Sequence, residues 1–250
     1  QAVLDHMWMP TQPWSRIAED GVRIITEGQG TKLKDIDGVW RYDGSAGLML
    51  VNIGHGRQEV VDAISAQLSR LHYANTFTYG TPDVIRFGAK LASLSPGDLN
   101  RVLFVSGGSE AVESALKIAY QYHANRGEPN RTKFIARQGS YHGVSRGALN
   151  VGSATILARA TWEPILSDTS RFAPQPLLYR DDESSTQDEN DVCCAQAIED
   201  LIVFHGAKTV AAVIAEPVST SVGCAVPGDE YWPMLREICT RYGVLLIVDE

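Results

Sequence analysis

Four polar clusters in the 250-residue chain each follow an apolar run. Ser106-Gly107-Gly108-Ser109-Glu110 comes after RVLFV, and Tyr141-His142-Gly143 after KFIAR and a short loop. Glu216-Pro217 follows TVAAVIA, and Asp249 follows VLLIV. Glycines at 107 and 108 let backbone N–H groups approach a ligand closely. With the Ser109 hydroxyl at a helix start, they suit an anion such as a phosphate. Tyr141 offers an aromatic face on which a planar ring can stack. A carboxylate at Asp249, closing a buried strand, needs a cation or a strong donor. Each cluster also has an ordinary structural reading. Ser109 is a good N-cap with Glu110 in the first turn, Tyr141 a half-buried tyrosine, and Glu216-Pro217 a strand terminator.

The elements that must position these residues are legible in the pattern. From residue 101 onward, short apolar runs (RVLFVS, KFIAR, TVAAVIAEPV, VLLIVD) alternate with helical ones (SEAVESALKIAYQYHANR, DEYWPMLREICTRYG). This alternation predicts an α/β fold with a mostly parallel sheet and flanking helices, whose ligands sit at the C-terminal strand ends. There the clusters would share one crevice. A phosphate, a flat ring and a protonated ring nitrogen together describe pyridoxal phosphate.

Upstream, residues 22–43 alternate β-like runs with glycine turns and predict an antiparallel meander. RQEVVDAISAQLSRL places Val60, Ile64, Leu68 and Leu71 at helical spacing. TPDVIRFGAKLASL offers Thr81 as N-cap and Pro82 at the first helical position. The acidic stretch at 179–192 reads as a solvated loop, and His55 as a loop residue near a helix start.

The net charge of -8 and the lack of a Lys/Arg run argue against a nucleic-acid or anionic-membrane partner. Cys193, Cys194, Cys224 and Cys239 lack the C-x-x-C spacing of a zinc site and read as buried thiols of a reducing, cytoplasmic setting. No metal is expected.

FVSGGSEAVESALK, GSYHG, AEPV and LLIVDE, with DGSAGLMLVNIGHG, HYANTF and WMP upstream, resemble in order and spacing the signature segments of class III aminotransferases. These are the ω-amino acid and amine:pyruvate transaminases among the fold-type I PLP-dependent transferases. The resemblance implies residues 1–45 as a small-domain segment with the meander. Residues 46–250 become the first part of the large PLP-binding domain, incomplete at its C-terminus. It further implies that Gly108 and Ser109 hold the phosphate, with Gly107 shaping the turn, that Tyr141 stacks on the ring, and that Asp249 pairs with the ring N–H. His142 would orient Asp249, and Glu216 would lie near the cofactor hydroxyl or the substrate. Thr11, Met49 and Tyr73 match substrate-pocket positions, although Met49 and Tyr73 also read as core.

The implied activity moves an amino group from an amine or ω-amino acid to a keto acid such as pyruvate, in a homodimer. Relatives with mutase, decarboxylase or epimerase chemistry, or an inactive scaffold that keeps the fold, are the alternatives. In the family the Schiff-base lysine follows the aspartate by a few tens of residues. None of Lys32, Lys34, Lys90, Lys117, Lys133 and Lys208 has the buried strand-end setting it needs, so that lysine is not expected in this segment.

Overall fold

Glycine turns and short β-rich runs build the first of two compact units, 1–102 and 103–250. The computed structural model describes residues 2–10, 12–180 and 186–250. Short helices α1 (Ala2–His6) and α2 (Trp14–Asp20) precede β1 (Ile25–Gln29), β2 (Lys32–Asp35) and β3 (Trp40–Tyr42), which pair antiparallel in the order β1-β2-β3. This is the expected meander. Asp35 accepts the Val39 N–H at the β2–β3 turn, which holds its carboxyl below the ordinary carboxylate range.

His55 is more than a loop residue. Its Nε2 lies 2.9 Å from Asp43 Oδ2, and its backbone exchanges hydrogen bonds with Gly30, so it fastens the following segment to the meander. Between them, α3 (Ala46–Met49) is a left-handed turn: Ala46, Gly47, Leu48 and Met49 have φ of +48°, +61°, +60° and +68°. Only Gly47 adopts that geometry without steric cost. Helices α4 (Gln58–Arg70) and α5 (Pro82–Leu94) form where the periodicity places them, and the Thr81 hydroxyl accepts from Val84 N. Neither helix buries a residue. Val60, Ile64, Leu68 and Leu71 line one face of α4 and its end, each still at least 39% exposed.

In the second unit, α6 (Gly108–Asn125), β4 (Lys133–Arg137), α7 (Arg146–Val151), α8 (Arg159–Trp162) and β5 (Ser170–Ala173) come first. They are followed by α9 (Gln187–His205), β6 (Val210–Ala215), α10 (Tyr231–Tyr242) and β7 (Leu245–Val248). The sheet is parallel throughout, in the order β5-β4-β6-β7. Side-chain alternation divides its two faces. Ile135 and Val213 pack with Ile198 of α9 and Leu235 of α10. Phe134, Ala136, Ala212 and Ile214 pack with Val112 and Leu116 of α6 and with Ala148 of α7. All of β6 is buried, which is why its sequence is an unbroken apolar run.

Three expectations fail. RVLFVS belongs to neither sheet, and Val102 to Val105 are each at least 36% exposed. A strand exists through its ladder, and the four places in the parallel sheet are held by other segments. The expected loop at 179–192 gives way to α9 from Gln187, because Thr186 and Glu189 form a capping box that starts a helix inside the acidic run. Residues 181–185 lie outside the described residues. Finally, Cys194 and Cys239 are buried but Cys193 and Cys224 are exposed: Cys193 faces the other way from its neighbour Cys194 on α9, and Cys224 lies outside any helix. Among the described residues no helix is long and apolar enough to cross a membrane.

Past the end of α6, Arg131 is buried and donates to the carbonyls of Ala207, Val210 and Tyr242. Glu128 pairs with Lys208 and Arg131, which pull its carboxyl down to about 2. The folded pKa lies below the unfolded one. This contribution is therefore complete above about pH 4.5 and lost as the pH falls toward 2. Melting temperatures of the full-length protein between pH 5 and pH 2.5 should fall less steeply for Glu128→Gln than for the parent.

Candidate active site

Because β4, β6 and β7 are parallel, the segments that follow them emerge along one edge. Ala215 is in register with Val248, and the Asp249 N–H donates to the Ala215 carbonyl at 3.0 Å, which sets Asp249 beside Glu216. The loop after β4 reaches both. Tyr141 N–H donates to Glu216 Oε1 at 3.0 Å, and His142 Nδ1 lies 2.7 Å from Asp249 Oδ2. With a carboxylate as partner, Nδ1 is the nitrogen that carries the proton. The His142 side chain is fully buried and that of Asp249 is 27% exposed, leaving Oδ1 of the carboxylate for a further donor. The Tyr141 ring is 42% exposed.

The same loop ties down the start of α6. Val144 N–H donates to Ser109 Oγ at 3.0 Å. An Oγ lone pair is thereby taken, and the hydroxyl hydrogen is free to donate elsewhere. Ser109 is not the N-cap. That position falls to Gly107, in extended backbone with no side-chain cap, and Ser109 is the second helical residue. Glu110 reaches back to accept from Ser106 N at 2.7 Å. With no side chain to cap the helix, Gly107 leaves first-turn N–H groups available, the arrangement that binds anions. A Cβ built on Gly107 or on Gly108 would meet nothing within 4 Å, so the approach to this turn is open.

The loop from 141 to 144 thus brings Ser109, Tyr141, His142, Glu216 and Asp249 into one hydrogen-bonded set. The set offers an anion turn, an aromatic face and a carboxylate, in keeping with a phosphorylated planar ring that carries a protonated nitrogen. Met49 and Tyr73 belong to the first unit, where they are 58% and 78% exposed, and Met49 ends the left-handed turn. Exposure departs from the core reading of both. Thr11 lies outside the described residues.

Sequence reasoning missed Arg137 and Ser219. Arg137 is wholly buried and donates to Glu216, while Ser219 Oγ donates to Glu216 Oε1 at 3.2 Å. A charged residue closing an apolar strand was the available signal for Arg137. The lysines are engaged or exposed elsewhere: Lys34 pairs with Glu27, Lys208 with Glu128, and Lys117 sits on the outer side of α6.

Comparison with known proteins bears on the whole arrangement. A probable aminotransferase of Mycobacterium tuberculosis is 39% identical over 241 residues, covering 95% of this chain and 51% of its own length. A putrescine–pyruvate aminotransferase of Pseudomonas aeruginosa is 34% identical over 247 residues, covering 98% of this chain and 54% of its own. The solved amine transaminase of an uncultivated Pseudomonas species, in its PLP-bound form, superposes with a TM-score of 0.90 at 39% identity. That match covers 98% of this chain and 55% of the other. The chain spans about half the length of the relatives it matches. The sequence profile of the family described as Aminotransferase class-III matches residues 16–250, and the chain belongs to that family.

Proposed function

We propose that the full-length protein is a PLP-dependent aminotransferase that moves an amino group from an amine or ω-amino acid to a keto acid such as pyruvate. The observation that carries this reading is the loop at 141–144, which joins an open anion turn, an aromatic face and a strand-end carboxylate. Bound there, pyridoxal phosphate supplies an electron sink for the donor carbon that loses its proton. The first-turn N–H groups at Gly108 and Ser109 and the Ser109 hydroxyl hold the phosphate, and Gly107 keeps the approach clear. Tyr141 lies against the ring. Asp249 accepts from the ring N–H and keeps that nitrogen charged, while His142 holds the carboxylate in place. Glu216 fixes the loop from below.

In this reading residues 1–45 are the small-domain segment and 46–250 the first part of the cofactor domain. Thr11, Met49 and Tyr73 are the residues proposed for substrate recognition. The name of the putrescine–pyruvate relative supports the choice of donor and acceptor. A homodimer and a cytoplasmic setting belong to the same reading, carried by the family resemblance. Titration of the full-length protein with pyridoxal phosphate should produce the absorbance band of bound cofactor, and adding an amine with pyruvate should yield alanine. A protein that gives neither would refute the reading.

A further inference from the structure

Arg137 closes β4 on the sheet face that carries Ile135, beside Tyr231 and Trp232 of α10. Its side chain is 1% exposed. An apolar residue would fill this place at lower desolvation cost, so the charge calls for a reason. One nitrogen, Nη2, donates both to the Glu216 carbonyl and, at 3.3 Å, to Glu216 Oε2. The guanidinium carbon lies 5.7 Å from the Tyr231 ring centroid and 6.0 Å from that of Trp232, so aromatic faces meet the rest of the charge. Burial pushes the Tyr231 hydroxyl up to about 12, which keeps it neutral. Glu216 is then the one anion paired with Arg137 among the described residues.

The two oxygens of that carboxylate are divided. Oε2 faces Arg137, while Oε1 accepts from Tyr141 N–H at 3.0 Å and from Ser219 Oγ at 3.2 Å. Tyr141 sits between Gly139 (φ +77°) and Gly143 (φ +122°) in a segment with no regular secondary structure. Hydrogen bonds from outside must therefore fix its backbone. The one from Tyr141 N–H itself is accepted by Glu216, whose side chain Arg137 and Ser219 hold between them.

We infer that Arg137 is a positioning residue for the aromatic platform, acting through Glu216 on the backbone of Tyr141. The inference rests on the reading of Tyr141 as the platform for the cofactor ring. Lysine is a poorer substitute, because its ammonium can donate to Glu216 as Nη2 does but lacks the extended guanidinium that also approaches the Tyr231 and Trp232 rings.

The test uses the full-length protein as parent, Arg137→Met and Arg137→Lys, with three readouts: thermal melting without cofactor, the dissociation constant for pyridoxal phosphate, and the circular dichroism of the bound cofactor's absorbance band. The expected result for Arg137→Met is a cooperative melt, a dissociation constant raised tenfold or more, and a weakened or inverted cofactor band. A merely structural role would lower the melting temperature and leave the other two at parental values in the folded protein, and that outcome overturns the inference. Should Arg137→Met not fold, Arg137→Lys decides: a dissociation constant raised about threefold with an altered band supports the inference, and parental values overturn it. Failure of the functional reading is seen separately, as a parent that binds no cofactor.

Discussion

Asp249→Asn in the full-length protein is expected to lower kcat with an amine and pyruvate on the order of 10²–10³-fold, the usual scale for losing one preorganised charge at a reacting centre. The substitution keeps the shape of the side chain and an oxygen for the His142 N–H, now 2.7 Å from Oδ2. The backbone bond from Asp249 N to Ala215 O is untouched. What is lost is the negative charge that, under the proposed function, holds a ring nitrogen protonated. Melting temperature should move little, because the carboxylate is partly exposed and its neighbours stay satisfied. His142→Ala should cost less, since His142 acts only through Asp249. A variant within threefold of the parent kcat would remove Asp249 from the cofactor site.

Why could the elements around this aspartate be read from sequence when their connections could not? β6 is buried along its whole length and so spells an unbroken apolar run, and α6 and α10 show helical spacing between such runs. β5 is four residues long and contains Ser170 and Arg171, too short and too polar to stand out. The start of α9 carries a capping box within an acidic stretch. The residues it packs into the core of Ile135 and Val213, Cys194, Ala195, Ile198 and Ile202, begin only two turns later. RVLFV has the composition of a strand, but composition does not supply a neighbouring ladder.

The same division holds at the site. Residue types suggested a phosphate turn, a ring platform and a carboxylate, beside ordinary structural readings of the same residues. Partnerships were silent, since they span 75 residues from Tyr141 to Glu216, 107 from His142 to Asp249 and 35 from Ser109 to Val144. Only the sheet order brings those positions together. For that reason Ser109 read as a helix cap and a phosphate ligand, with no sign that its Oγ also accepts from the distant Val144 N–H.

That distant contact makes Gly143→Ala the substitution with the largest expected effect on folding. At Gly143 φ is +122°, a conformation costly for any residue with a Cβ. The added carbon would lie 2.4 Å from Ser109 Oγ and 3.0 Å from Ser109 Cα, so rotating the serine side chain does not relieve the contact. Backbone strain and overpacking together should cost roughly 2–5 kcal/mol, seen as a lowered denaturant midpoint of the full-length protein. The displaced Val144 N–H and Ser109 Oγ should also weaken cofactor binding. Gly107→Ala separates the two effects. Its φ is -175° and its Cβ meets no protein atom within 4 Å, so folding should be nearly unaffected. If a phosphate occupies that open approach, Gly107→Ala should still raise the dissociation constant for pyridoxal phosphate several-fold. Parental affinity in Gly107→Ala would show that the turn starts a helix and does not hold the phosphate.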